Sequence, residues 1–588
     1  MDSSHKDHKD HKETIGNAPD QAAALTLSQA LAKLIKAYGA EYVFTLTGAP
    51  QDLLIELQNR EGVRVVLGRS ERSAFAMADA YARVTGKPTF GIVQYGPGAT
   101  YLPPSLIDAY WASSPLIALS GTTNTGTRYR SEYQEVEQTS MFASFTKWAG
   151  DLPQPGRIAD VLRTVVRTAA GGVPGPAYLG IPADWFSKPL ASPPELYAES
   201  AFMTVPALRV APLPQDVERA IAHISGAKKP VILAGGGVML SGAWQELTAL
   251  AEALNAPVVT TMAGKGSIAD HHALSVGAVG RYSRKVANET LAAADFCLAI
   301  GTRLGSMGTD VFKVPRKDAH IVHVDLDPSS LGRTYREDLS ILADAKTAIV
   351  MLCDAARASK LDGSSWTAWT RQVQANVASW HKDVESLSRE PMHQGRINPY
   401  HIMSLLDEYL RGDDMVVADT GYMAAWAATV LQQKQPGRNT LRAAGSLGWA
   451  FPAAFGAKLA VGGKRRVFGL TGDGGLGYHL ADFETALRLK IPVVQIVMNN
   501  CSLAFEYHVQ KYVHGEMCPE ASEFLDVPFG DVARAFGGHG ERVTSADQFI
   551  PALRRAEESG KAAIVDVVVS PELPPPVTRY EKAGLRKI

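Results

Sequence analysis

Asp473 and Asn500 are the residues whose types and spacing most plainly bear on chemistry. Asp473 lies in the run RRVFGLTGDGG and Asn500 in PVVQIVMNNCS, each at the polar end of an apolar stretch. A carboxylate, an amide oxygen and a backbone carbonyl near Ser502 are hard oxygen donors. Such a set suits Mg²⁺, with diphosphate oxygens and water completing an octahedron. Gly472, Gly474 and Gly475 let the chain turn tightly and come close to a ligand.

For these donors to share one ion, two strand ends must meet. Val467, Phe468 and Leu470 predict a short buried strand, and Val493 to Met498 a second. Between them Ala481 to Lys490 has helical spacing, with Phe483, Ala486, Leu487 and Leu489 on one face. A right-handed crossover makes the strands parallel neighbours, so Asp473 and Asn500 leave the sheet at one carboxyl edge. The helix after the first strand is expected to offer its positive N-terminal end to phosphates.

The order GDG, 24 residues from Gly475 to Met498, then NN resembles the diphosphate-and-magnesium motif of the thiamine diphosphate (ThDP) enzyme family. Other stretches extend the likeness across almost the whole chain. It resembles the branch holding acetolactate synthase, pyruvate oxidase, benzoylformate decarboxylase and the 2-hydroxyacyl-CoA lyases.

The 588-residue length calls for several cores. A 46% hydrophobic and 20% charged composition is that of a globular protein. With 59 basic and 60 acidic residues there is no electrostatic footprint for nucleic acid or an anionic membrane. No run approaches the roughly 18 apolar residues of a membrane span. Cys297, Cys353, Cys501 and Cys518 form no CxxC pair or zinc pattern, which suggests a reducing, cytoplasmic setting. Residues 1–24 repeat His-Lys-Asp, lack an apolar signal core and read as a solvated, disordered tail.

From Leu25 the pattern alternates helix and strand, which predicts an α/β fold of three doubly wound parallel-sheet domains. The divisions fall at 25–190, a Pro-rich linker 191–213, 214–358, a helical connector 359–397 with Trp366, Trp369 and Trp380, 398–570 and a tail 571–588. The resemblance makes these the pyrimidine-binding, middle and diphosphate-binding domains. The middle domain carries Gly235, Gly236 and Gly237 after a strand, but Leu240 breaks a GxGxxG pattern. Relatives hold FAD or ADP there, and GTRLGS matches their flavin segment through Gly301 and Arg303 only; FAD stays open.

The resemblance also implies roles. Glu71, in GRSERSAFAMADAYARVTGKP, would hold the aminopyrimidine nitrogen of the cofactor and, with an elevated pKa, relay the proton that activates it. Ser70 stands where decarboxylases of the family often carry histidine, which disfavours a His-assisted decarboxylase. Leu447, in RAAGSLGWAFPAAFG, would be the wedge that bends the cofactor, and the Gly445 carbonyl would accept from its amino group. Gly421 and Tyr422, in DTGYMAAWA, would lie by the diphosphate and pyrimidine. YGPGATY matches a family turn except at Tyr101, where Asn is usual. YQEVEQ places Gln134 near the reacting carbonyl, with a hydrogen bond for a developing alkoxide. His479, Tyr507 and His508 follow the metal loops as lesser substrate contacts.

The implied activity is a ThDP- and Mg²⁺-dependent carboligase or lyase acting on 2-oxo acids, of the acetolactate synthase kind. The alternatives are a 2-hydroxyacyl-CoA or acyloin lyase, a 2-oxo acid decarboxylase, a sulfoacetaldehyde acetyltransferase-like enzyme, and a non-catalytic protein that keeps the fold. For an acyl-CoA, the basic tail with Arg579, Lys582, Arg586 and Lys587 offers a closing segment. Small 2-oxo acids, aldehydes or acyl-CoA are the expected partners. A homodimer or homotetramer is implied, with sites at the subunit interface.

Overall fold

In the computed structural model, residues 24–583 are described except 49, 360 and 362, with side chains through residue 580. The His-Lys-Asp repeat and Lys582, Arg586 and Lys587 thus lie outside the described residues or side chains.

Short runs of aliphatic and β-branched residues form strands, those at the centre of each sheet buried on both faces, and helices cover both sides of each sheet. The first sheet holds β1 (Tyr42–Leu46), β2 (Arg64–Leu67), β3 (Thr89–Val93), β4 (Leu116–Thr122), β5 (Trp148–Asp151) and β6 (Ala177–Pro182) in the order 2-1-3-4-6-5. The middle sheet holds β7 (Pro230–Ala234), β8 (Val258–Thr260), β9 (Ser275–Ala278), β10 (Phe296–Ile300), β11 (His320–Asp325) and β12 (Leu339–Leu342) in the order 12-11-10-7-8-9. That is the strand order of dinucleotide-binding folds. A small hairpin of β13 (Met392–His393) and β14 (Arg396–Ile397) precedes the third sheet. The third holds β15 (Met415–Ala418), β16 (Thr440–Arg442), β17 (Val467–Gly472), β18 (Val494–Asn499), β19 (His539–Val543) and β20 (Ala563–Val568) in the order 16-15-17-18-20-19. All pairings within the three sheets are parallel. The first and third sheets therefore repeat one topology without a visible sequence repeat.

Between helices Glu71–Thr85 and Ala450–Val461 the first and third domains meet closely. Both helices are alanine-rich and buried, so their backbones can approach. A Cβ on Gly456 would lie 2.0 Å from the Met77 carbonyl oxygen, so glycine is required there. The Trp449 indole N–H donates to Asp79 at 3.1 Å, and Arg83 pairs with the same buried carboxylate.

The connector forms one helix, Thr367–Ser388, after a 3-10 turn. The Trp366 and Trp369 indoles donate to the carbonyls of Ala227 and Pro230, which ties it to the middle domain. After β20 the chain crosses back. Pro574 accepts from the Tyr400 hydroxyl at 3.0 Å and Thr578 donates to Asp310 of the middle domain at 2.6 Å.

Candidate active site

β17 and β18 pair in parallel with Gly472 opposite Met498. Asp473 and Asn500 consequently emerge side by side, as their spacing predicts. Asp473 is buried, and its Oδ1 accepts from the Gly474 N–H at 3.0 Å. Its Oδ2 accepts from the Ser502 N–H at 3.1 Å. Asn500 Oδ1 accepts from the same N–H and from the Ser502 hydroxyl, both at 3.2 Å. The carboxylate and the amide oxygen thus converge on one residue. Burial pushes the Asp473 carboxyl up to about 6, against the pull of the Gly474, Cys501 and Ser502 amides. A buried carboxylate with raised pKa is a site where a cation would be favoured.

The neighbouring Asn499 is spent on structure. Its amide donates to Asp566 and to the Val527 carbonyl. The helix after β17 is a single turn, Asp473–Gly477, too short to carry the macrodipole expected of it. Within that turn the Gly474 N–H is already taken by Asp473 Oδ1.

This edge also has room. No atom lies within 4 Å of where a Cβ would sit on Gly421, Gly445 or Gly472, and Gly421 holds φ +68°. Gly474 and Gly475 are closed in contrast, since a Cβ on Gly475 would lie 2.2 Å from Asp419 Oδ2. Open glycines beside a buried carboxylate fit a diphosphate with its Mg²⁺. Among the described residues no group of three or more His, Cys, Asp or Glu could hold a metal, so an ion here draws on amide, carbonyl and phosphate oxygens besides Asp473.

Asp419, which the sequence reading passed over, connects the parts of this edge. It is 1% exposed. Its oxygens accept from the Gly448 N–H at 2.9 and 3.1 Å, from Ala450 N–H at 3.4 Å and from the Thr471 hydroxyl at 3.3 Å. Burial raises its carboxyl to about 6, with the Gly448 amide the largest opposing influence. The signal was its place at the exit of β15, opening the DTGY stretch.

Tyr422 lies close in sequence to the open Gly421, but its side chain points into a buried cluster. The hydroxyl bonds His508 Nδ1 at 2.6 Å and the Tyr580 hydroxyl at 3.0 Å. Only its backbone N–H, at the start of helix Tyr422–Thr429, is placed to serve a ligand. His508 is fully buried and Tyr507 donates to Glu572, so both act in packing. His479 is buried beside Gly448, its Nε2 without a hydrogen-bond partner among the described residues. Arg579 stacks on Phe505, 5.4 Å from the ring centre.

In the first domain Glu71 opens helix Glu71–Thr85, and Ser70 caps it by accepting from the Ser73 N–H at 3.0 Å. The serine in the usual histidine position is therefore a helix cap. Burial raises the Glu71 carboxyl above its ordinary range. Its Oε1 lies 3.1 Å from where a Cβ on Gly98 would sit, so the GPGATY turn leaves the carboxylate its space. Gln134 holds φ +64°, and its side-chain oxygen accepts from Gln94 at 3.1 Å. Gln138 is buried and joins the Gly96 amide to Ser120 and Tyr178, fixing that turn. Around Gln134 lies a cavity of about 510 Å³ walled by Pro97, Thr100, Tyr101, Glu132 and Val136.

The groups offered for a flavin are committed elsewhere. Gly237 N–H donates to the Gly301 carbonyl at 2.8 Å, and a Cβ on Gly235 would lie 2.1 Å from that oxygen. Arg303 donates to Ser113 Oγ and the Trp111 carbonyl of the first domain. Gly235 and Gly237 thus pack against the Gly301 backbone, and Arg303 is engaged with the first domain.

Three sequence models match in succession: the N-terminal TPP binding domain of thiamine pyrophosphate enzymes over residues 25–141, their central domain over 217–352, and their C-terminal TPP binding domain over 419–567. A probable acetolactate synthase large subunit of Methanocaldococcus jannaschii is 29% identical, with 92% of each chain covered. One from Methanococcus aeolicus is 30% identical over 92% of this chain and 91% of its own. A sulfoacetaldehyde acetyltransferase of Castellaniella defragrans is 28% identical, covering 94% and 95%. With its repeated outer sheets, and the carboxylate and amide brought to one edge of the third, this chain belongs to the thiamine pyrophosphate enzyme family.

Proposed function

We propose that this enzyme decarboxylates a 2-oxo acid and passes the acyl unit to a second carbonyl compound, as an acetolactate synthase does. The observation that carries it is the convergence of Asp473 and Asn500 on Ser502, beside three glycines with open space above them. When bound, ThDP supplies the carbon that stabilises negative charge on the acyl group.

In this reading Asp473, Asn500 and the Ser502 backbone hold Mg²⁺ against the diphosphate, with Gly472, Gly474, Gly475, Gly421 and the Tyr422 amide nearby. Leu447 supports the bend and the Gly445 carbonyl accepts from the amino group. Glu71 holds a proton at the pyrimidine nitrogen, and Gln134, oriented by Gln94, donates to the oxygen that gains charge. The limits 25–190, 214–358 and 398–570 each enclose one sheet. Cytoplasmic location is part of the proposal; no helix among the described residues is long and apolar enough to cross a membrane.

A homodimer or dimer of dimers completes the site from the first domain of one subunit and the third of another. Large apolar side chains left in the open support it, among them Tyr129 at 82%, Tyr133 at 76% and Leu525 at 87% exposed. The test is carbon dioxide release from a panel of 2-oxo acids with ThDP and Mg²⁺, followed by identification of the coupled product. Release with formation of a 2-hydroxy-2-acyl acid fits the proposal. Cleavage of acyloins or 2-hydroxyacyl thioesters without release would replace it by the lyase reading.

A further inference from the structure

The Leu447 segment is gripped from two domains at once. Asp419, of the third domain, receives the Gly448 N–H on both oxygens. Asp108, on helix Pro103–Ala112 of the first domain, receives the Ala444 N–H at 2.5 Å and lies 3.5 Å from the Ser446 N–H. Two more first-domain groups join it. The Leu447 carbonyl accepts from Arg72 at 2.6 Å, and the Ser446 hydroxyl donates to the Pro104 carbonyl at 2.9 Å. Both carboxylates are buried, at 1% exposure each. Between them Gly445 stays exposed with open space at its Cα, and Leu447 is partly exposed.

We infer that Asp108 and Asp419 are positioning residues that together set the Leu447 wedge, so that the first domain of a chain shapes the cofactor seat of its own third domain. A loop that must press on a ligand without following it needs its backbone fixed from outside. Hydrogen bonds from backbone amides to buried carboxylates are strong enough to do so. Asp108 Oδ1 makes these bonds, while its Oδ2 is buried and accepts none among the described residues. Asparagine at this position keeps the accepting oxygen, and alanine loses it. The inference rests on the reading of Leu447 as the wedge, but the clamp itself is measurable without any cofactor.

The experiment follows amide hydrogen exchange over residues 443–450 in the cofactor-free full-length protein. Alongside it run ThDP affinity in the presence of Mg²⁺ and the exchange rate of the bound thiazolium proton. Asp108→Ala is expected to speed amide exchange in this stretch by about tenfold or more, the loss of a charge-assisted hydrogen bond. It should leave ThDP affinity within about threefold, because the phosphate anchor is untouched, and slow thiazolium exchange about tenfold or more. Asp108→Asn should restore both rates, which a general loosening of the fold would not. Asp419→Asn, which keeps one accepting oxygen, should fall between the two. Unchanged amide exchange in the cofactor-free Asp108→Ala protein would overturn the clamp. Faster amide exchange with normal thiazolium exchange would overturn the wedge reading, and the inference with it.

Discussion

In the proposed reading Glu71 and Asp473 divide the work at the scale of single residues, one at the ring of the cofactor and one at its charge. Glu71→Gln keeps the size and loses the proton relay. The expected result is ThDP binding close to wild type with thiazolium exchange slowed by about 10²-fold or more, read by proton NMR in deuterated buffer. Unchanged exchange would remove Glu71 from the relay. A third residue-scale expectation concerns His508, whose ring burial holds down to about 4 from an ordinary 6.5. Above pH 6.5 both folded and unfolded chains carry it neutral and it has no effect. As pH falls from 6.5 towards 4 the unfolded chain takes a proton that the folded chain refuses, so stability declines by up to roughly 3 kcal/mol. Denaturant midpoints from pH 7 to 4.5 should therefore fall less steeply in His508→Asn than in wild type. Parallel slopes would contradict this. The meeting of Asp473 and Asn500 at one sheet edge was legible because strand exits and turn glycines are local signals, whereas the role proposed for Glu71 came from the family resemblance. Asp108 was not legible, since its partner lies 336 residues away along the chain, and Asp419, though also at a strand exit, shows its link to Gly448, 29 residues on, only in the fold. Tyr422 was read by its neighbours, whereas a hydroxyl follows whichever acceptor the tertiary fold brings near it.

Elements position these residues through close backbone contact, and glycines mark where. Gly456→Ala puts a methyl 2.0 Å from the Met77 carbonyl at the crossing of helices Glu71–Thr85 and Ala450–Val461. Overpacking of that kind costs about 1–3 kcal/mol, and neither backbone is a flexible side chain that can yield. Chemical denaturation should show the loss, while Gly463→Ala, with nothing within 4 Å, should differ by no more than about 0.5 kcal/mol. Equal stability of the two variants would mean the helices are not in contact as described. The parallel β17–helix–β18 unit was legible from its apolar runs and crossover rule. β12, Leu339–Leu342, was not, because an edge strand of four residues alternating buried and exposed leaves a weak pattern. The helix expected over 481–490 is shorter than its spacing suggests, a 3-10 turn Leu480–Asp482 followed by Phe483–Arg488.

Across the whole molecule, the shared strand order of the outer sheets suits a pair of domains that face each other over one cofactor. Sites shared between subunits make a definite forecast for mixtures of two inactive variants. A dimer of one Glu71→Gln and one Asp473→Ala chain holds one intact site, so co-expression should recover about a quarter of wild-type activity by random pairing. No recovery would place both residues of a site on the same chain. Sequence alone could not place the chains, because exposed side chains such as Tyr133 and Leu525 carry no signal of what covers them. The most direct measurement of the account is calorimetric titration of ThDP, with and without Mg²⁺, into wild-type, Glu71→Gln and Asp473→Ala protein. The prediction is one Mg²⁺-dependent site per chain, kept in Glu71→Gln and weakened by about tenfold or more in Asp473→Ala. Wild-type affinity in Asp473→Ala would contradict it.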